Sequence, residues 1–149
     1  MKRIAFVLLA LSLLCAPALA AGGLDGFLKS LNIQAHADLP GFSAKVSAQF
    51  GVPQAQVQAT LKTVREPADA FMVFQLGQMT STPPETVVRV YQSRRGQGWG
   101  VIAKELGIKP GSAEFHALKR GEFALTGQPG ETPAEGRGKG KGKGRGHNR

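Results

Sequence analysis

Apolar residues recur three and four positions apart through most of the chain, and Pro or Gly punctuates each run. Leu24, Phe27, Leu28 and Leu31 mark a first short helix. Asp38-Leu-Pro-Gly41 suits a helix start, after which Phe42, Val46 and Phe50 recur every four residues and stop at Gly51. Val52-Pro53 opens the next, with Val57, Leu61 and Val64 on one face. Pro67 begins Ala68-Asp-Ala-Phe-Met-Val-Phe-Gln-Leu76, apolar around its circumference and therefore expected at the centre of the core. Pro83-Pro84-Glu85 opens a helix carrying Val87, Val88 and Tyr91; Trp99, Ile102, Ala103 and Leu106 form another face, and Phe115 with Leu118 a last one.

No segment sustains the period-two alternation of a half-buried strand. The pattern predicts an all-α domain, a small bundle of five to seven short helices arranged as helical hairpins. Residues 42–57 and 99–115 share an order of helix, Gly, β-branched residue, Pro and helix. In both, the Gly is suited to end a helix in a left-handed conformation, and the Pro prevents its continuation. The likeness is one of turn chemistry and is too weak for a repeat array.

The first twenty residues do not belong to this pattern. Lys2-Arg3 precedes an unbroken apolar run from Ile4 to Cys15, and Ala16-Pro-Ala-Leu-Ala20 supplies the small residues of a signal peptidase site. The run is about half the ~20 residues a membrane span needs, so residues 1–20 read as a cleavable export signal with no transmembrane span remaining after cleavage. Ser12-Leu-Leu, ahead of Cys15, lacks the small residue that precedes a lipidated cysteine. Because Cys15 is the single cysteine, the mature chain has no disulfide and its core must hold by packing. The expected location is periplasmic or secreted.

The 149 residues carry a formal net charge of +9, unevenly placed. Residues 21–126, the expected helical domain, hold eleven Lys/Arg against eight Asp/Glu. Residues 127–149 hold six, Arg137, Lys139, Lys141, Lys143, Arg145 and Arg149, against two acidic residues. Glycine alternating with Lys or Arg has high backbone entropy, mutual repulsion and nothing to bury, so this tail is expected to be disordered when free. Its cations suit anionic envelope components, lipopolysaccharide or phospholipid headgroups, or extracellular nucleic acid. Binding of this kind is salt-sensitive and, without stacking platforms or fixed base contacts, indifferent to sequence.

Two short helices around Gly107 also invite comparison with a helix-turn-helix DNA reader. Ala103 and Gly107 have the required spacing, but Pro110-Gly111 fills the start of the second helix, and Ala113, Glu114 and His116 stand where an apolar packing residue belongs. An export signal also argues against chromosomal DNA as the partner. Tyr91 followed by Gly96-Gln-Gly-Trp-Gly-Val-Ile-Ala-Lys-Glu-Leu-Gly-Ile-Lys-Pro-Gly-Ser-Ala-Glu-Phe-His-Ala-Leu-Lys119 resembles a block found in small uncharacterised exported proteins of Gram-negative bacteria. The likeness is most specific over residues 91–119 and looser back to Asp38. It implies a signal peptide, a helical domain and a Gly/Lys-rich end, and carries no activity. A periplasmic module presenting the 91–119 hairpin to a protein partner is the alternative function.

A second anion-binding candidate lies in the same block. Arg94-Arg95-Gly96-Gln-Gly-Trp-Gly100 sets two guanidinium groups and three glycines before a predicted helix start, with Arg94, Arg95, Trp99 and Lys104 as the contacting residues. The nucleotide-binding spacings are absent, and a solvated inter-helix loop is the competing reading. His36, His116 and His147 are scattered without metal-ligand spacing, and His116, between Phe115 and Leu118, reads as a capping or partly buried residue. Ser43, Ser47, Ser112 and the carboxylates form no nucleophile or paired-acid motif. The expectation is a non-enzymatic protein with no catalytic residues, no metal and no cofactor.

Overall fold

The computed structural model describes residues 22–129, which form seven α-helices and no strand. The expected export signal and the six tail cations lie outside the described residues. The helices are α1 (Gly23–Ala37), α2 (Leu39–Phe50), α3 (Gln54–Leu61), α4 (Pro67–Thr80), α5 (Pro84–Ser93), α6 (Trp99–Glu105) and α7 (Ala113–Arg120).

Their ends follow local chemistry. Asp38 caps α2, its Oδ1 accepting from the Gly41 N–H at 2.9 Å, and Gly51 closes the helix in the left-handed region at φ 63°. Glu66 and Asp69 form a reciprocal capping box at the start of α4, with Pro67 in its first turn. Ser112 caps α7 by accepting from the Phe115 N–H at 3.2 Å. Among these helices, α4 is the axis: Ala68 and every residue from Ala70 to Gly77 are buried, and α1, α2, α3 and α5 pack around it. Phe71 is enclosed edge-on by Phe27 and Phe50, with ring centroids 5.4 and 5.5 Å away. Such pairs contribute about 0.5–1.5 kcal/mol each beyond their buried area.

Two elements depart from the expected spans. The first helix runs past Leu31 to Ala37, because Ala35 is buried and Asn32 Oδ1 accepts from the Ala68 N–H at 2.8 Å, tying α1 to the head of α4. α3 ends at Leu61, leaving Val64 in the following turn. There the Thr60 and Thr63 hydroxyls donate to the Gln56 and Thr60 carbonyls, and the Lys62 N–H takes the Ala59 carbonyl three residues back. These bonds satisfy the helix end and tighten it.

The two ends of the domain meet. At Gly23 a Cβ would stand 2.5 Å from the Lys119 carbonyl oxygen, and at Gly121 one would stand 2.6 Å from the Gly23 carbonyl oxygen. Both glycines also have positive φ, 52° and 64°. Only glycine permits this approach of α1 to the end of α7. Beyond Gly121 the chain continues without helix and lays Phe123 and Leu125 on the core. Gln49 holds this segment as far as Gly127, one residue past the expected domain boundary. No helix among the described residues is long and apolar enough to cross a membrane.

Candidate functional site

Two aromatic residues of the 91–119 segment, Tyr91 and Trp99, converge on one acceptor outside it, Asp69. Its carboxylate lies in the first turn of α4, where the helix dipole and free N–H groups favour negative charge. Oδ1 accepts from the Trp99 indole N–H at 3.1 Å, and Oδ2 accepts from the Tyr91 hydroxyl at 2.8 Å and the Glu66 N–H at 3.3 Å. The Tyr91 oxygen in turn accepts from the Arg65 N–H at 3.2 Å. The two rings stack with centroids 5.3 Å apart and planes at 25°. One half-buried carboxylate thus ties α5 and α6 to the head of α4. Burial raises the Tyr91 phenol above its ordinary 10.0, and the Asp69 carboxylate adds in the same direction, against the Arg65 N–H and the Arg95 charge.

The loop before α6 does not gather its four expected anion contacts. Trp99 is buried and its N–H is already engaged, so it supports the loop from beneath and offers nothing to a ligand. Its burial agrees with the apolar face it shares with Ile102 and Ala103, and the carboxylate 30 residues earlier takes its N–H. Arg94 is paired with Glu105, which neutralises one of the two guanidinium groups. Arg95 and Lys104 remain exposed. α6 has only seven residues, too short to add a strong dipole to the loop.

α7 completes the hairpin with Ala117 and Leu118 buried and Phe115 half-buried. His116 is exposed on the outer face, contrary to the capped or partly buried position expected, because the inward stripe of this helix is already filled by its neighbours. In the first turn, Glu114 is held below its ordinary 4.5 by its own backbone N–H and the Ser112 hydroxyl. A carboxylate held ionised at this end repels the phosphates that a recognition helix must meet. Between the end of α4 and the turn of the hairpin lies a groove of about 350 Å³, lined by Met79, Thr80, Leu106 and Lys109 among others.

His36 is exposed 3.6 Å from Glu66, and among the described residues no three His, Cys, Asp or Glu side chains gather to hold a metal ion. Ser43 and Ser47 lie on α2, Ser43 buried without a hydrogen-bond partner among the described residues and Ser47 donating to the Val52 carbonyl at 2.6 Å. Compared with known proteins, the chain matches no family model, no curated protein and no solved structure, so the chemistry of this site rests on its own residues.

Proposed function

We propose that the chain is an exported, non-enzymatic helical protein whose basic tail binds polyanions without reading sequence. Its targets are lipopolysaccharide or phospholipid headgroup phosphates, or extracellular nucleic acid. The observation that carries this is the density of charge: six Lys/Arg against two acidic residues fall within residues 127–149, while the much longer segment 21–126 holds eleven against eight. The domain supports the reading in two ways. Arg94 and Arg120, which a surface anion would seek, are already paired with Glu105 and Glu122. Gln49 holds the described chain as far as Gly127, and the first of the six cations, Arg137, comes later in the sequence.

The test is a salt-series titration of the intact chain and a chain lacking residues 136–149 against anionic vesicles and duplex DNA. With six cations engaged, the logarithm of the DNA binding constant should fall with the logarithm of salt at a slope of about −5. The shortened chain should lose this binding, and Trp99 emission should stay constant because its indole is held inside the domain. Undiminished binding after the deletion would falsify the proposal.

A second reading, a protein partner met by the 91–119 hairpin, draws on the groove beside Leu106 and Lys109. A photo-crosslinker at Lys109 that recovers no protein from envelope fractions would remove it.

A further inference from the structure

The segment after Gly121 is held in an unusual way. Among the described residues, no backbone–backbone hydrogen bond reaches positions 123–129. The buried amide of Gln49 takes that place: its Nε2 donates to the Ala124 carbonyl at 2.9 Å, and its Oε1 accepts from the Thr126 N–H at 2.9 Å and the Gly127 N–H at 3.3 Å. A carbonyl at one position and an N–H two positions on are the groups an adjacent strand would engage, and a primary amide carries the same donor and acceptor as a peptide group. Phe123 and Leu125 are turned onto the core while Ala124 and Thr126 are exposed, the alternation of an extended segment. The Phe123 ring lies 5.8 Å from that of Phe27 and 6.4 Å from that of Phe71. The domain therefore contains a groove that recognises an extended strap by its backbone and by two apolar side chains.

We propose that this groove is also a docking site for the strap of a second copy of the chain, so that two chains exchange residues 123–129 and form a dimer. The occupant seen in the structure is the argument for the occupant proposed, since a partner's strap presents the same backbone and the same Phe123 and Leu125. Reciprocal exchange keeps every strap contact and changes only a hinge. The hinge falls between Glu122 and Phe123: the Glu122 N–H still bonds the Ala117 carbonyl at 3.0 Å, so the closed end of α7 stays intact while the strap swings out. Leaving the groove breaks bonds to one side chain and no backbone ladder. A strap tethered to its own groove has a high effective concentration, so exchange grows with protein concentration. Each strap leads into a basic tail on a chain of net charge +9. Salt relieves the repulsion between two such tails and favours exchange, the opposite of its effect on polyanion binding.

The strap touches Lys45, and a Cβ at Gly127 would lie 3.4 Å from the Lys45 Cβ, close to the separation a disulfide spans. In a full chain carrying Cys15→Ser, Lys45→Cys and Gly127→Cys are made as two separate proteins, neither able to crosslink to its own strap. The two are mixed, equilibrated at rising protein concentration and salt, and oxidised. Exchange yields a 45–127 linked heterodimer that exceeds the 45–45 and 127–127 products by about tenfold or more. Random collision yields the three links in statistical proportion, and that result overturns the proposal. Because Gly127→Cys places a side chain at positive φ and can weaken the strap, the unmodified chain is also followed by sedimentation velocity. A dimer fraction rising with concentration and salt supports exchange, and a monomer throughout overturns it.

Discussion

The indole N–H of Trp99 donates to Oδ1 of Asp69 across 30 residues of sequence, and this bond accounts for the most distinctive residue of the 91–119 block. The lone tryptophan is a structural anchor. Removing its acceptor leaves the indole N–H and the Tyr91 hydroxyl without the charged partner they share, a loss of the kind that costs 1–3 kcal/mol per buried group. Asp69→Ala should therefore lower stability by about 3 kcal/mol in urea unfolding and shift Trp99 emission to the red. Asp69→Asn, which keeps one acceptor oxygen, should cost about half as much.

Tyr91 makes the same anchor sensitive to alkali. Its phenol pKa is raised in the folded chain, so the fold holds the proton more tightly than the unfolded chain does. The resulting stability is complete below the ordinary 10.0 and is lost as pH rises through the higher folded value. Tyr91→Phe should cost about 1 kcal/mol at neutral pH through the lost hydrogen bonds and should lack this part of the alkaline decline. Urea unfolding of both chains from neutral pH upward measures the difference.

Glycines at the meeting of α1 and α7 should behave unlike the glycine in α6. Gly23→Ala and Gly121→Ala each set a Cβ within 2.6 Å of a backbone oxygen, at positive φ, and should cost about 2–4 kcal/mol. At Gly100 the added methyl meets nothing within 4 Å, and Gly100→Ala should stabilise by about 0.5–1 kcal/mol. Three thermal unfolding curves decide this, and equal effects at all three positions would contradict the close approach.

Gln75 in the centre of α4 is almost fully buried, and its Nε2 has no hydrogen-bond partner among the described residues. Replacing a buried unsatisfied amide by an apolar group of similar length removes a desolvation cost without opening a cavity. Gln75→Met should raise stability by about 1 kcal/mol, read as a higher urea midpoint at unchanged slope.

Much of this fold was legible because its signals are local. Asp38 with Pro40, the Gly51 stop, Pro67 and Pro84 act on backbone groups within a few residues, so they locate the helix boundaries wherever the helices later pack. The unbroken apolar run of α4 likewise announced a helix without a solvent face. The α3 end falls three residues short of Val64 because apolar spacing registers Val64 but not threonine hydroxyls competing for carbonyls.

The anion loop was legible only in part. Arg94, Arg95 and the glycines are indeed adjacent in an exposed turn, yet adjacency does not say which charges are already spent. Glu105, eleven residues on, pairs with Arg94, and Asp69 draws Trp99 inward. Gln49 gave no local signal at all, since an amide on α2 has no visible relation to a segment 75 residues away.

Helical periodicity, capping chemistry and the clustering of six cations at one end thus follow from the sequence, because each depends on neighbours along the chain. The choice of Asp69 as common acceptor, the glycine contact between the two ends and the grip of Gln49 on the strap belong to the tertiary structure. Each joins groups that are distant in sequence, and only the packing of α1, α2, α3 and α5 around α4, with α6 set against α5 and α7 against α1, brings their atoms within hydrogen-bond or van der Waals range.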